Sequence, residues 1–160
     1  MYLHLLRHAH AGDALAWDGP DAARPLTEKG RGQSERLGRF LSAQGFAPDL
    51  LITSPKVRAV ETAEIVARAL DASLAVDDRL AGPLGLATVE AVLAAHGDPE
   101  APVLVGHDPD FSDLLAALCG AAGVTMRKGA FARLEIDRPL QPGTGTLRWL
   151  VPPDLLRPER

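Results

Sequence analysis

Two arginines and two histidines stand where three short apolar runs end. Tyr2–Leu6 leads into Arg7-His8-Ala9, and Leu50–Thr53 leads into Ser54-Pro55 with Arg58 one helical turn further on. Val103–Val105 leads into Gly106-His107-Asp108-Pro109. A guanidinium offers a planar fork of donors that matches phosphate oxygens and stays charged at any working pH, so a pair of arginines defines a site for a dianion rather than for a carboxylate. Beside a clamped phosphate, a neutral imidazole is a competent nucleophile: it takes the phosphoryl group and divides one hard displacement into two easier ones. One histidine has to attack, and the other can stay protonated. Amides opening the helix after Ser54 would add donors and a favourable dipole.

For these groups to meet, the runs must be strands of one sheet. Tyr2–Leu6, Leu50–Thr53, Ser73–Val76, Val103–Val105, Ala130–Ile136 and Leu147–Val151 read as strands, several too continuously apolar to expose a face. Helical spacing is predicted over Thr27–Gln44, stopping at Gly45, and over Pro55–Leu70 after a Ser54 N-cap with proline at the first helical position. Thr88–Ala95 and Phe111–Leu118 supply two more helices. Strands alternating with helices, then two final strands, specify an α/β fold, a three-layer α/β/α sandwich around a mostly parallel central sheet. Sites in such sheets lie beyond the carboxyl ends of the strands, where these four side chains would sit. The 160 residues are expected to form one domain over 1–160, with 151–160, which carries three prolines, extended or frayed.

Three motifs in this order resemble the histidine phosphatase superfamily, also called phosphoglycerate-mutase-like. They are Arg7-His8-Ala9, the helix start Ser54-Pro55-Lys56-Val57-Arg58-Ala59-Val60-Glu61-Thr62-Ala63, and Val105-Gly106-His107. The resemblance implies that His8 is the nucleophile and that Arg7, Arg58 and His107 hold the phosphate. Short length, the Arg-His-Ala variant, the run Arg24-Pro25-Leu26-Thr27 and Gly-His-Asp-Pro look most like the SixA-type protein-phosphohistidine phosphatases within that superfamily. Larger relatives place a catalytic Glu or Asp shortly after a segment like Asp78-Arg79-Leu80. Here Ala81, Gly82, Pro83, Leu84 and Gly85 follow, and none can donate a proton. Such a donor is worth ~10²–10⁴ in rate for a basic alkoxide leaving group. Imidazole, with a pKa of about 6.5, departs more easily, so the missing acid favours P–N cleavage. The expected partner is therefore a phosphohistidine-bearing protein, reached through a pocket that a chain this short cannot cover with a large lid. A small phosphorylated substrate is the alternative within the enzyme class, and a phosphate-binding module without turnover lies outside it. Were a donor present elsewhere, Asp13, Asp18, Asp77 and Asp78 are the candidates.

The remaining residues carry quieter readings. His4, His8, His10, His107 and Asp108 can be drawn as a metal site, but arginine beside the ligands disfavours a cation, and no metal or other cofactor is expected. His4 inside an apolar strand reads as a core histidine, and His96 as the end of an exposed helix. Ser54 is first an N-cap and also a candidate phosphate contact. Arg24 is either a solvated loop charge or a substrate contact. Glu61 and Thr62 read as helix-surface and packing residues, and Asp108 as closing its own turn. The net charge of −4 argues against nucleic acid as a partner. No apolar run of membrane-spanning length occurs, the polar N-terminus does not read as a secretory signal, and Cys119, the only cysteine, reads as a buried inert thiol. Together these place the protein in the cytoplasm.

Overall fold

A computed structural model describes residues 1–157 of the protein. Its six strands are β1 (Tyr2–Arg7), β2 (Leu50–Thr53), β3 (Leu74–Val76), β4 (Pro102–Gly106), β5 (Phe131–Glu135) and β6 (Thr146–Val151). They form one sheet in the order β3-β2-β4-β1-β5-β6. β1 to β4 run parallel, and only β5 is antiparallel to its neighbours β1 and β6. Four helices cover the sheet: α1 (Glu28–Ala43), α2 (Val57–Leu70), α3 (Leu86–Ala95) and α4 (Asp110–Cys119).

The alternation of side chains along each strand divides the core in two. Leu3, Leu5, Ile52 and Leu104 face α3 and α4, where they meet Val89, Leu93, Phe111 and Leu115. Leu6, Leu51, Val103 and Val105 face α1 and α2, against Leu37, Leu41, Ala63 and Val66. β4 is buried at all five residues, as a central strand covered on both faces must be. This is the three-layer α/β/α arrangement expected from the sequence. Each fully buried Leu or Val contributes about 1.5–3 kcal/mol, so both helical layers stabilise the sheet they cover.

Strand register delivers the polar ends to one edge. Arg7 pairs with Gly106, and Thr53 pairs with Val105. Because β2, β4 and β1 are adjacent and parallel, with neighbouring strands about 4.8 Å apart, His107 and His8 emerge level with each other and Ser54 stands one residue short of them at the same edge.

Two local expectations are corrected. α2 begins at Val57 rather than at Pro55, and its N-cap is Lys56, which makes no side-chain cap bond. Ser54 lies two residues too early to be the N-cap, and its hydroxyl meets the helix start only through Lys56 N, at 3.3 Å. The end of the chain is not frayed over 151–157: Val151 closes β6, Pro153–Leu156 forms a 3-10 turn, and Leu156 packs against the α1–α2 side of the core. Residues 158–160 of that expected tail lie outside the described residues.

Candidate active site

His8 emerges from β1 almost fully buried, at 5% exposure, with its backbone N–H donating to Gly106 O at 2.9 Å. Its Nδ1–H donates to the carbonyl of Ala9 at 2.8 Å. That bond holds the proton on Nδ1 and leaves the Nε2 lone pair for attack. Burial is the main force that pulls the His8 imidazole down to about 3; the Ala9 carbonyl opposes it, and the charges of His107, Arg58 and Arg7 add to it. The His8 ring is therefore neutral at physiological pH.

His107 tilts toward His8, with ring centroids 5.2 Å apart. Its Nε2 shares a 2.7 Å hydrogen bond with Ser54 Oγ, which also accepts from Lys56 N at 3.3 Å. The Ser54 hydroxyl, expected to cap the helix, thus joins His107 to the turn that opens α2. Burial foremost, then Arg58 and Lys56, lowers His107 to about 4. The expectation that one histidine stays protonated is corrected for the free site: desolvation beside three cations leaves both rings neutral.

Arg7 donates to Met126 O at 2.8 Å and pairs with Asp108 at 3.3 Å. Asp108 in turn accepts from Ser112 N at 3.0 Å and Ser112 Oγ at 2.6 Å, so it closes its turn as expected and also fixes the guanidinium. Arg58, 5% exposed near the start of α2, donates to Asp21 O at 2.9 Å and to Asp21 Oδ2 at 3.0 Å. Arg7 Nε, Arg58 Nε and His107 Nδ1 are buried without a hydrogen-bond partner among the described residues. Native interiors rarely leave such groups unmet, and oxygens of a bound anion would satisfy them.

The residues named as secondary candidates are tied elsewhere. Arg24 is buried rather than a solvated loop charge: its Nη1 donates to Ala11 O at 2.7 Å, and its Nε and Nη2 reach Asp21 Oδ1 at 3.4 Å. His10 donates from Nδ1 to Thr27 Oγ1 at 2.7 Å, linking the loop after the nucleophile to the N-cap of α1. Thr62 is fully buried and accepts from Ala9 N at 3.1 Å, while Glu61 accepts from Leu26 N at 3.0 Å and pairs with Arg31. Both are ties for the segment around the site rather than surface residues. His4 is a core histidine, donating from Nδ1 to Pro102 O at 2.9 Å and stacked on Phe131. Cys119 is only partly buried, and burial pushes its thiol up.

Of the four reserve acids, two are engaged in hydrogen bonds and two are exposed. Asp77 is bonded by Arg79 and by His96 Nε2 at 3.0 Å, and Arg79 foremost holds its carboxyl far below the usual range. Asp13 caps Leu15 N, while Asp18 and Asp78 are exposed. The carboxylate that does enter the site is Asp21, which sequence reading missed; Lys128 was missed as well. The Lys128 ammonium is lowered by burial first and then by Arg7, Arg24 and Arg58. Among the described residues no three His, Cys, Asp or Glu side chains gather as a metal site, and no helix is long and apolar enough to cross a membrane.

A mostly parallel α/β sheet whose strand ends bring Arg-His, a helix-borne Arg and a second His together defines a class of enzymes that handle phosphoryl groups on histidine. The chain belongs to the histidine phosphatase superfamily (branch 1), whose family profile matches residues 3–82. It is 27% identical to the phosphohistidine phosphatase SixA of Escherichia coli, over 96% of this chain and 94% of that one. The solved structure of protein histidine phosphatase SixA complexed with tungstate superposes with a TM-score of 0.83 at 27% identity, covering 98% of this chain and 100% of the other. A putative phosphohistidine phosphatase SixA from Agrobacterium tumefaciens is similar at a TM-score of 0.77 and 25% identity, covering 94% and 96%. The resemblance carried by the three motifs therefore holds over the whole fold.

Proposed function

We propose that the protein is a phosphatase that works through a phosphoryl group on His8 and dephosphorylates phosphohistidine on another protein. The observation that carries this is the His8 imidazole, held neutral with Nε2 free and set among Arg7, Arg58 and His107. Nε2 attacks phosphorus, the P–N bond to the leaving imidazole breaks, and water then cleaves the phospho-His8 bond, releasing phosphate and restoring the neutral ring. Arg7 and Arg58 balance the charge of the transferring group. His107, neutral in the free site, takes up a proton when a dianion binds, because a negative charge within a few ångströms favours the imidazolium.

Similarity to phosphohistidine phosphatases supports this substrate class, as does the absence of a carboxylate among Ala81–Gly85. The same reading takes 1–160 as one catalytic domain acting in the cytoplasm.

The test is kcat/KM across a leaving-group series together with one phosphohistidine protein, combined with rapid quenching of a labelled substrate. Phosphohistidine and activated aryl phosphates should outrun serine and sugar phosphates by about 10²-fold or more. An acid-labile label should map to His8. A sugar phosphate as best substrate would instead assign a small-molecule phosphomonoesterase, and binding without turnover would assign a binding module.

A further inference from the structure

A histidine side chain is short, so a phosphohistidine on a protein reaches the buried His8 only when the backbone that bears it comes down onto the mouth of the site. Surfaces that flank the mouth then touch the partner. One flank is the first half of α1. His10, two residues past His8, is held there twice, by Thr27 Oγ1 at 2.7 Å and by Gln33, whose Oε1 accepts from His10 N at 2.9 Å. Gln33 also backs the turn at Gly129, where an added Cβ would lie 3.3 Å from Oε1. That turn is fastened to the nucleophile strand, since Gly129 N donates to the carbonyls of Arg7 and His8 at 3.1 and 2.9 Å.

The charge of this flank is opposite to that of the whole chain, which is −4. Lys29, Gln33 and Arg36 follow at helical spacing along one stripe of α1, and with Asp154 and Arg157 they line a cavity of about 290 Å³. Arg127 and Lys128 precede the fastened Gly129. Against the cations Lys29, Arg36, Arg127, Lys128 and Arg157 stands the carboxylate of Asp154, which Arg127 and Arg157 share at 3.0 and 3.1 Å. Glu28 and Glu35 lie on a neighbouring stripe of α1, Glu35 beside Arg39 and Arg68. Among the described residues Lys29 and Arg36 have no carboxylate partner, and Arg36 Nε is buried without an acceptor. The other loop at the site carries Asp13, Asp18 and Asp21, so the surroundings of the mouth are unlike in sign.

We propose that the Lys29–Arg36 stripe of α1, together with the Arg127–Lys128 turn, is the docking surface for the substrate protein, and that it receives acidic side chains set beside the phosphohistidine. This rests on the reading of the protein as a phosphohistidine phosphatase and adds to it how the partner is chosen and turned. Complementary fields of this kind raise the encounter rate and fix orientation more than they tighten the formed complex. Free phosphohistidine enters the pocket without covering α1, so the stripe does not select it.

The experiment compares kcat/KM of the wild type and a Lys29→Glu/Arg36→Glu double variant on three substrates: an acidic phosphohistidine phosphotransfer domain, a chemically phosphorylated histone as the basic counterpart, and free phosphohistidine. The double variant should lose about tenfold or more on the acidic domain, gain on the histone, and stay within about twofold on free phosphohistidine. Turnover of free phosphohistidine also reports that the variant is folded with an intact site. An unchanged kcat/KM on the acidic domain overturns the proposal, and so does an equal loss on all three substrates.

A second measurement needs no variant. Raising salt from about 0.05 to 0.5 M shortens the reach of surface charge to a few ångströms, so wild-type kcat/KM should fall steeply on the acidic domain and much less on free phosphohistidine. Parallel salt dependence on the two also overturns it. Failure of the wild type to release phosphate from any of the three would instead overturn the phosphatase reading on which the proposal stands.

Discussion

At the scale of single residues, the site works by keeping imidazoles neutral and aimed. Ser54 aims His107: the 2.7 Å bond between Ser54 Oγ and Nε2 fixes the ring, and nothing else hydrogen-bonds it, since Nδ1 is without a partner among the described residues. Ser54→Ala removes that bond and the hydroxyl's contact with Lys56 N. The loss of net hydrogen bonding costs stability of about 1–2 kcal/mol, since Ser54 is fully buried. The effect on turnover should be larger than on binding, because a ring free to rotate still fills the pocket but meets the transferring oxygens less often. We expect kcat to fall about tenfold or more with KM little changed, the pattern of an interaction realised in the transition state. Equal kcat for Ser54→Ala and wild type in steady-state assays would show that His107 is held by packing alone.

At the scale of elements, the segment after the nucleophile must lie tightly against α1, and a glycine permits it. A Cβ on Gly30 would sit 2.0 Å from the carbonyl oxygen of His10, a backbone atom that cannot swing away. Helix propensity alone would favour alanine here by about 1 kcal/mol. Overpacking against fixed backbone costs about 1–3 kcal/mol or more, so the clash wins and Gly30→Ala should be destabilising on balance. Because His10 follows His8 by two residues and is bonded to Thr27, the displaced strand end should also reduce activity. Urea denaturation and kcat on the same preparation check this; a stabilised variant of full activity would mean that α1 can slide away from the loop. Gly106 plays a similar part under His107, where an added Cβ would meet the Phe111 ring at 2.7 Å.

At the scale of the whole molecule, burying imidazoles makes stability depend on acid. His4 and His107 are lowered to about 4 and His8 to about 3, each chiefly by burial, from an ordinary value of 6.5. Their contribution is fully present above pH 6.5, where neither state binds the proton. As pH falls from 6.5 toward 4, the unfolded chain takes up protons that the native state refuses, and stability is lost progressively. For several such groups the loss is on the order of several kcal/mol, a large part of the roughly 5–15 kcal/mol that holds a domain together. His4 is the clean reporter because it stands apart from the catalytic groups, packed on Phe46 and Phe131 with Arg133 and Asp49 as the nearby charges. His4→Leu should make unfolding free energy between pH 6 and 4.5 less steep by about 1 kcal/mol per pH unit. An unchanged slope in denaturant titrations would mean that His4 is protonated in the native state.

Local patterns in the chain determined most of the scaffold and the chemical core of the site. Continuous apolar runs marked the strands, helical spacing marked α1 to α4, and Arg7, His8, Arg58 and His107 were legible because each lies within a few residues of a strand end, where a short motif and the rules of parallel sheets suffice. The start of α2 was misread because a Ser-Pro pair carries the same local signal whether the hydroxyl caps the helix or turns to a partner 53 residues away, as Ser54 does to His107. Asp21 was invisible for the same reason: it sits in a polar loop, and only folding brings it across 37 residues to Arg58. Arg24 turned inward to the carbonyls of Ala11 and Gly12, a pairing that no spacing rule implies. Protonation was likewise decided by tertiary structure, since the pKa of His107 depends on desolvation and on cations delivered by other strands and helices. Sequence determines which groups a strand end can offer; burial and long-range contacts decide their charge and their partners.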